Sequence, residues 1–337
     1  MKLSLLRNAA YAMFIVLSVV ACGSDDNGGG QGSSAPNVNR NTAFSDVAAL
    51  RVEVPHLRDG NSKFIVYRTT DKAFDKDGVN YCVEWDRDLK ANRWTCYVLT
   101  KQNITGNKHR WNGDRYVTQT SSNAAYFFDT QSLTLADYYY RTEGGNIRDY
   151  LYGSGYDHGH LCPSNDRTFA SASELGNVGK INKQTFYLTN MQPQYSVFNG
   201  SSSQYKYKGL WLTMENFVHN FTTSTRFGTN DTLFVCKGGT IDDESQILKR
   251  IDNKVIVPKY FYAAVVWKRT ALNVYSGIAF WFEHTNVYHG DDALKGYAIS
   301  IGELEKKLGG NIDFFCNLPD DIETKVEKTA ATLDFGL

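Results

Sequence analysis

The sequence predicts one α+β domain built around a mainly antiparallel sheet. Short runs in which apolar and polar residues alternate, such as "KFIVYR" at 63–68 and "RWTCYVLT" at 93–100, are typical of strands joined by turns. The run "LWLTMENFVHNF" at 210–221 instead has apolar residues at helical spacing. No polar linker divides residues 44–325, so strands and helices are expected to share one core.

The first 43 residues are predicted to precede this domain. Lys2 and Arg7 begin the chain, and an apolar run over 9–20 follows, which is typical of a secretory signal removed as residues 1–21. The end of the run, "VVAC", resembles the lipobox of bacterial lipoproteins. That resemblance implies lipidation of Cys22, with acyl chains holding the protein at the cell envelope.

An ordinary signal peptide with an incidental cysteine is the alternative to a lipid anchor. The "SDD" directly after Cys22 resembles signals that send some lipoproteins to the cell surface. Residues 22–43 then read as the lipidated cysteine and a flexible linker, because they are almost free of apolar side chains.

The net charge gives no reason to expect nucleic-acid binding from bulk electrostatics. The chain has 36 basic and 36 acidic residues, and loss of Lys2 and Arg7 with the signal leaves about −2. Any such affinity must come from a local patch, for which "KQNITGNKHR" at 101–110 and "YKYK" at 205–208 are candidates. Either patch can equally be an ordinary solvated surface.

Further elements follow in chain order. Residues 128–155 are irregular and rich in Tyr, and "TFYLTNMQPQ" at 185–194 is predicted to be a strand ending in a proline turn. "SIGELEKKLGG" at 300–310 predicts a helix with Ser300 as its N-cap and a glycine stop. "LPDDIETKVEKT" predicts a last helix, and we expect the domain to end near 325 with a tail over 326–337.

Five cysteines remain after signal removal. Cys82 and Cys96 lie on two predicted strands, at symmetric positions about a turn near Leu89, so a cross-strand disulfide is plausible in an exported protein. A bond between Cys236 and Cys316 is a second hypothesis, and the odd count leaves one thiol over.

The stretch "GYDHGHLCPSNDR" at 155–167 carries two histidines two residues apart. Such a pair can be half of a zinc site, a catalytic base with its supports, or a buried polar turn. A zinc site needs a further ligand, and none of the remaining histidines stands at a recognised spacing from this pair. These residues alone leave the three readings open.

Downstream residues add an ordered set of motifs. Together with "YDHGH" they resemble the DNA/RNA non-specific endonuclease family, the ββα-metal nucleases. The hallmark of that family is Asp-Arg-Gly-His, then Asn-x-x-Pro-Gln, a second Asn, and Trp-x-x-x-Glu. The corresponding residues here are Asp157, Gly159 and His160; Asn190, Pro193 and Gln194; Asn199; and Trp211 with Glu215. The resemblance covers most of 45–325, and "NKHRW" is similar to the family's basic stretch with a catalytic arginine.

The resemblance implies a division of labour among these residues. His160 would be the general base that activates water, Arg110 would stabilise the phosphate in the transition state, and Glu215 would accept hydrogen bonds from the water around the cation. Asn199 would be the metal ligand for Mg²⁺, or for Mn²⁺ or another divalent ion, because a hard cation that keeps most of its waters needs few protein oxygens.

Three further residues are candidate substrate contacts: Asp157, His158 and Asn190. Asn190 would hold the turn or contact substrate. A glycine beside the base, Gly159, would let the main chain and a phosphate approach closely.

The sequence departs from the family pattern at two points. His158 stands where the family has an arginine that contacts substrate phosphate, which implies a change in binding or pH preference. Asn199 and Glu215 are sixteen residues apart instead of eight, or about 24 Å along one continuous helix, which is too far for a single metal cluster. We therefore predict a looped insertion over 200–209, with "YKYK" near the cleft.

The predicted function is a lipid-anchored, metal-dependent endonuclease that cleaves DNA, RNA or both and leaves 5′-phosphate and 3′-hydroxyl ends. The first alternative is a nuclease-like surface protein that binds but has lost or weakened activity. The second is a zinc hydrolase of other phosphoesters. No protein partner is predicted, and the sequence leaves the oligomeric state open.

Overall fold

The computed structural model of the chain describes residues 37–105, 107–108, 119–120, 128–170 and 180–337. Its centre is a seven-stranded antiparallel sheet, as predicted, with strand order β1-β2-β3-β11-β14-β15-β16. The strands are β1 (Ser62–Arg68), β2 (Val79–Asp86), β3 (Ala91–Thr100), β11 (Thr232–Gly239), β14 (Tyr260–Arg269), β15 (Val274–Glu283) and β16 (Ala298–Ile299).

Smaller sheets surround this centre. They comprise β8 (Asp157–His160) with β10 (Met191–Gln194); β12 (Ile247–Ile251) with β13 (Val255–Pro258); β4 (Asn107–Lys108) with β9 (Phe169–Ala170); and β5 (Gln119–Thr120), β7 (Asn146–Asp149) and β6 (Tyr140–Glu143). The β6–β7 pair gives regular structure to part of the Tyr-rich region expected to be irregular.

The helices are short apart from one. They are α1 (Lys101–Thr105), α2 (Lys180–Gln184), α3 (Ser196–Asn199), α4 (Leu210–Phe221), α5 (Ile301–Lys307), α6 (Asp320–Lys328) and α7 (Thr332–Phe335). The helix predicted over 210–221 is confirmed. In α5 the hydroxyl of Ser300 accepts a hydrogen bond from the N–H of Glu303, which confirms the predicted N-cap.

The central sheet separates two apolar cores because side chains alternate across a strand. Along β11, Leu233 and Val235 face a core shared with α4, whereas Cys236 faces the second core, shared with α5 and α6. The helix α4 and the pair α5–α6 therefore cover opposite faces of the sheet. No helix within the described part of the chain is both long and apolar enough to cross a membrane.

Packed residues lie beyond both predicted ends of the domain, 44 and 325. Asn41, expected in the flexible linker, is buried and donates hydrogen bonds to the carbonyls of Ala49 and Pro55. Phe335, expected in the tail, is buried in the core that α4 shares, and α6 continues to Lys328. Composition misled here because a few buried contacts at each end outweigh the polar residues around them.

The predicted strand over 185–194 is only partly correct. A 3-10 turn spans Leu188–Asn190, and only Met191–Gln194 forms a strand, paired with β8. The disulfide hypotheses are wrong for the described chain, where Cys82, Cys96, Cys236 and Cys316 are all buried free thiols.

Cys82 does lie opposite Cys96 in the ladder, as the symmetry about the turn suggested. Directly opposed residues of adjacent strands have Cβ atoms about 4.5–5.5 Å apart, however, and a disulfide prefers about 3.5–4.5 Å. Facing positions are therefore insufficient for a bond.

Candidate active site

The strand pair β8–β10 forms the floor of the candidate site. His160 is the register partner of Met191, and Gly159 is the partner of Gln192. A Cβ atom at Gly159 would overlap the buried side chain of Gln194. This glycine therefore makes room for Gln194, a packing role that the sequence did not suggest.

Two aromatic side chains hold His160 in place, one at its main chain and one at its ring. The indole N–H of Trp211 donates a 3.2 Å hydrogen bond to the main-chain carbonyl of His160, which ties α4 to the end of β8. The ring of Phe186 meets the imidazole edge to face, with centroids 5.1 Å apart. The base predicted from the sequence thus has a main chain and a ring that are both held in place.

Asn199 is the last residue of the short helix α3, which a neutral histidine anchors. The N–H of Tyr195, at the start of the helix, donates to Nε2 of His284 at 2.8 Å, and Nδ1–H of His284 donates to the carbonyl of Pro258 at 2.9 Å. Burial lowers the pKa of His284 to about 4, partly opposed by that carbonyl contact, so the ring stays neutral and can accept.

The insertion over 200–209 forms a closed loop, as predicted. Gly200 ends α3 in the left-handed conformation, with φ of 89°. A Cβ atom at Gly209 would overlap the main chain of Gly200, so the two ends of the loop touch. The loop returns the chain to the start of α4, so Asn199 and Glu215 come close in space although fifteen residues lie between them in the sequence.

A cleft of about 500 Å³ collects most of the predicted residues. Its lining includes Asp157, His158, His160, Asn199 and Glu215, together with Tyr152, Tyr156 and Ser201. The structure thus brings the candidate base, the candidate metal ligand and the supporting acid to one cavity. Arg110, the remaining catalytic candidate, lies outside the described residues.

Asp157 orients Asn199. Its Oδ2 atom accepts a 2.9 Å hydrogen bond from the amide N–H of Asn199 and a second from the hydroxyl of Ser201. These contacts engage the carboxylate with its neighbours in the cleft wall, so the geometry favours an orienting role over the predicted substrate contact. The amide oxygen of Asn199 is left as the free end of the group.

A buried lysine accompanies Glu215. The side chain of Lys237 is fully buried, and its ammonium lies 3.3 Å from Oε1 of Glu215 and over the rings of Tyr97 and Trp211. Burial raises the pKa of Glu215 to about 7; the charge of Lys237 opposes this shift, and the charge of Asp166 adds to it. Burial and the close charge of Lys237 therefore act on this acid in opposite directions.

Asp166 belongs to a polar layer beneath the cleft. It accepts a 2.7 Å hydrogen bond from Nδ1 of His219 and one from the hydroxyl of Tyr97. Arg167, also buried, lies over the ring of Tyr97 and donates to the carbonyl of Val98. Glu215 thus reaches the cleft from a layer that holds charges of both signs inside the protein.

His158 pairs with Asp149 at the side of the cleft. The Nε2 atom of His158 lies 3.0 Å from Oδ1 of Asp149, and both side chains are largely buried. Burial raises the pKa of Asp149, but His158 and the N–H groups of Tyr152 and Leu151 outweigh this, so the net pKa lies below its usual value. His158 therefore has a carboxylate partner. The comparison of His158 with the arginine that the family has at this position did not suggest this partner.

Asn190 holds the turn, the first of its two predicted roles. Its side chain is fully buried, accepts from the N–H of Cys162 at 2.8 Å, and donates to the carbonyls of Cys162 and Thr185 at 2.9 Å. All these partners are main-chain atoms. The predicted substrate contact is corrected, since the amide has no exposed surface to offer.

Lys237 and Asp149 were missed in the sequence. Lys237 carried a usable signal, because a lysine within the apolar strand "LFVCKGG" shares its face with Leu233 and Val235 and must be buried with a partner. Asp149 carried none, because only the packing of β7 beside β8 brings it to His158.

The fold and the cleft define a ββα unit: two antiparallel strands with a histidine at the end of the first, followed by a helix whose acid reaches the same cavity. The sequence pattern of the DNA/RNA non-specific endonuclease family matches residues 66–321. Because this match covers well over half of the chain, the protein belongs to that family.

Individual relatives give more distant matches. A protein named "Nuclease" from Nostoc sp. is 28% identical over 183 residues, which are 52% of this chain and 56% of that protein. "Nuclease C1" from Cunninghamella echinulata var. echinulata is 26% identical over 182 residues, 53% of this chain and 64% of that protein. The matched region therefore spans less than two thirds of each of these relatives.

A solved structure is also similar. A chain in the crystal structure of the EndoG/EndoGI complex superimposes with a TM-score of 0.48 and 19% identity, covering 72% of this chain and 85% of the other.

Proposed function

We propose that this protein is a metal-dependent endonuclease that hydrolyses phosphodiester bonds of DNA, RNA or both with low sequence specificity. The observation that carries the proposal is the meeting of His160, Asn199 and Glu215 in one cleft of a chain that belongs to this family. The printed names of two relatives, both nucleases, agree with it.

His160 is the proposed general base. An imidazole is partly neutral near pH 7 and can take a proton from a water molecule that attacks phosphorus. The hydrogen bond from Trp211 and the packed ring of Phe186 hold the imidazole in one position. Little conformational entropy is therefore lost when the base meets the attacking water. The leaving group would be the 3′ oxygen, which gives 5′-phosphate and 3′-hydroxyl ends.

A divalent cation fits the residues at this cleft. The amide N–H of Asn199 donates to Asp157, so its amide oxygen can turn toward a cation. Glu215 supplies a carboxylate in the same cleft. Amide and carboxylate oxygens are the hard donors that Mg²⁺ prefers. When bound, such an ion would offset the negative charge that grows on the phosphate and help the 3′ oxygen to depart.

Arg110 is proposed to donate to the phosphate, because planar guanidinium donors match paired phosphate oxygens. Contacts of this kind are made to the backbone of a nucleic acid and carry no base information, so low sequence specificity follows. His158 lines the same cleft beside Asp149 and is proposed to donate to a neighbouring phosphate.

Plasmid DNA and structured RNA, incubated with Mg²⁺, test the enzyme. We expect cleavage of at least one substrate by the wild-type protein and a loss of about 10²–10⁴-fold in His160→Ala, the usual contribution of a general base. His56→Ala is the matched control, since the side chain of His56 is exposed and bonds to the carbonyl of Asn39, and both residues lie far in the sequence from the cleft residues. Asn199→Ala should weaken Mg²⁺ binding measured by calorimetry without substrate.

Equal cleavage by His160→Ala and wild type would remove the base from the mechanism. No cleavage by wild type, with intact binding of nucleic acid, would instead support the alternative of a surface binding protein without activity.

We further propose export and lipid anchoring at Cys22, which lies outside the described residues. The support is the basic start, the apolar run and the "VVAC" sequence. Growth of an expressing bacterium with a clickable fatty acid should label the wild-type protein in the membrane fraction. Cys22→Ser should lose the label; labelling that persists in Cys22→Ser would exclude this anchor.

A further inference from the structure

The hairpin β12–β13 stands beside the cleft and has no role in the chemistry proposed for it. Its turn residues Asp252 and Asn253 both have positive φ, near 49° and 55°, and the N–H of Lys254 donates to the carbonyl of Ile251 at 2.9 Å, which closes the turn. Strand β13 packs against β10, the second strand of the ββα unit. The hairpin is therefore attached to the ββα unit through β10.

Two exposed lysines of this hairpin lie over tyrosine rings next to the cleft. The ammonium of Lys249 is 5.1 Å from the ring centre of Tyr156, which lines the cleft. The ammonium of Lys254 is 4.9 Å from the ring centre of Tyr150 and donates a 2.6 Å hydrogen bond to its hydroxyl. Buried rings thus fix the positions of two surface charges relative to the cavity.

Neither lysine forms an ion pair with a carboxylate of the described chain, in contrast to the cations around them. Arg250, between them, pairs with Glu244, and Arg148, over the ring of Tyr152, pairs with Glu143. Exposed lysines are common on any surface, but most are free to move. Lys249 and Lys254 are held in place and keep a full positive charge available to an anion.

We propose that the β12–β13 hairpin is a phosphate-binding arm, in which Lys249 and Lys254 bind the nucleic-acid backbone flanking the scissile bond. This inference rests on the proposed function, because it supplies the second stretch of the substrate path. An ammonium contacts a phosphate as a point charge, so the arm adds affinity and rate of encounter without reading bases.

The salt dependence of binding tests the arm. A lost phosphate contact lowers the slope of log K against log salt concentration by about 0.9 on duplex DNA and about 0.7 on a single strand. We expect Lys249→Gln/Lys254→Gln to lower the slope by nearly twice these amounts. Binding is measured by fluorescence anisotropy in chelator, with His160→Ala present in every protein, on a labelled duplex and the matching single strand.

The matched control removes two lysines from the opposite face of the sheet. Lys306→Gln/Lys325→Gln changes exposed residues of α5 and α6 by the same charge and should leave the slope unchanged. An unchanged slope in the hairpin variant overturns the proposal. An equal fall in both variants also overturns it, since net charge alone would then explain the effect.

A second readout separates this proposal from the proposed function. With His160 intact, the hairpin variant should show a raised KM for a long substrate and a kcat near the wild-type value, because the arm binds away from the reacting atoms. A kcat loss without a KM change would overturn the arm while leaving the enzyme in place. Absence of cleavage by wild type would contradict the proposed nuclease activity. The salt dependence of binding would still show whether the hairpin binds phosphates.

Discussion

Two groups of carboxylates lie on opposite faces of the central sheet and differ in their counter-charge. Beneath the cleft, Glu215 has the ammonium of Lys237 at 3.3 Å. On the other face, Glu305, Asp313 and Glu327 have oxygens within 4.8 Å of one another, and no cation of the described chain forms an ion pair with any of them. Neutral donors instead contact members of the second group: the amide of Asn39 donates to Asp313, and the N–H of Phe314 donates to Glu305.

The pKa values show what the cation changes. Burial is the largest cause of the raised pKa for both Glu215 and Glu327. For Glu215 the next cause is Lys237, which lowers the pKa. For Glu327 the next causes are Glu305, Glu323 and Asp313, which raise the pKa further. The pKa of Glu215 is about 7, whereas that of Glu327 is about 9. Lys237 thus opposes the effect of burial on Glu215, whereas neighbouring acids add to the effect of burial on Glu327; Glu305, in the same group as Glu327, has a pKa of about 7.

The largest effect that would test this comparison comes from Lys237→Met. The change leaves Glu215 without its close cation, and breaking a buried pair from one side typically costs about 3–5 kcal/mol of unfolding free energy. The loss should be greater at pH 8 than at pH 5, because protonation removes the unpaired charge. Urea unfolding at both pH values measures it.

The double variant Glu215→Gln/Lys237→Met is the control for that experiment. It leaves no charge unpaired and should recover most of the stability while cleaving nucleic acid no better than Lys237→Met. A single variant as stable as wild type would show that the lysine is not the counter-charge of Glu215.

A smaller effect is expected from Glu327→Gln on the opposite face. An acid whose folded-state pKa lies above its unfolded value stabilises the fold fully below the unfolded pKa, near 4.5, and this stability is lost as pH rises through the folded value near 9. The wild-type melting temperature should thus fall between pH 5 and pH 8.5. Glu327→Gln stays neutral and should reduce the fall by a few degrees.

The measurement uses thermal unfolding in chelator, so that no adventitious divalent ion screens the acids. Glu303→Gln, a change of the same kind at the capped start of α5, is the control and should not flatten the pH dependence. A wild-type melting temperature independent of pH over this range would contradict the raised pKa values.

Much of the site could be predicted because its residues stand in ordered motifs. His160, Asn199 and Glu215 were identified from spacing and type, and the sixteen-residue gap correctly required a loop, since a continuous helix would separate the two ends by about 24 Å. The helices at 210–221 and 301–307 followed from apolar periodicity and a cap, both of which are local signals.

Roles were harder to predict than positions. Asp157 and Asn190 were both expected to contact substrate, but one orients Asn199 and the other is buried against main-chain atoms. Gly159 makes room for Gln194, a contact that the sequence did not suggest. In each case the deciding partner is distant in sequence, so no local pattern could reveal it.

The sequence by itself determined the strands, the main helices, the loop over 200–209 and the family, because periodicity, caps and ordered motifs are properties of short stretches of chain. Only the tertiary structure decided which ionisable groups lie together: Lys237 with Glu215, His158 with Asp149, and the half-buried acids of α5 and α6 with one another. The physical reason is that ionisation depends on the solvent and charges within a few ångströms, and these are set by packing between elements.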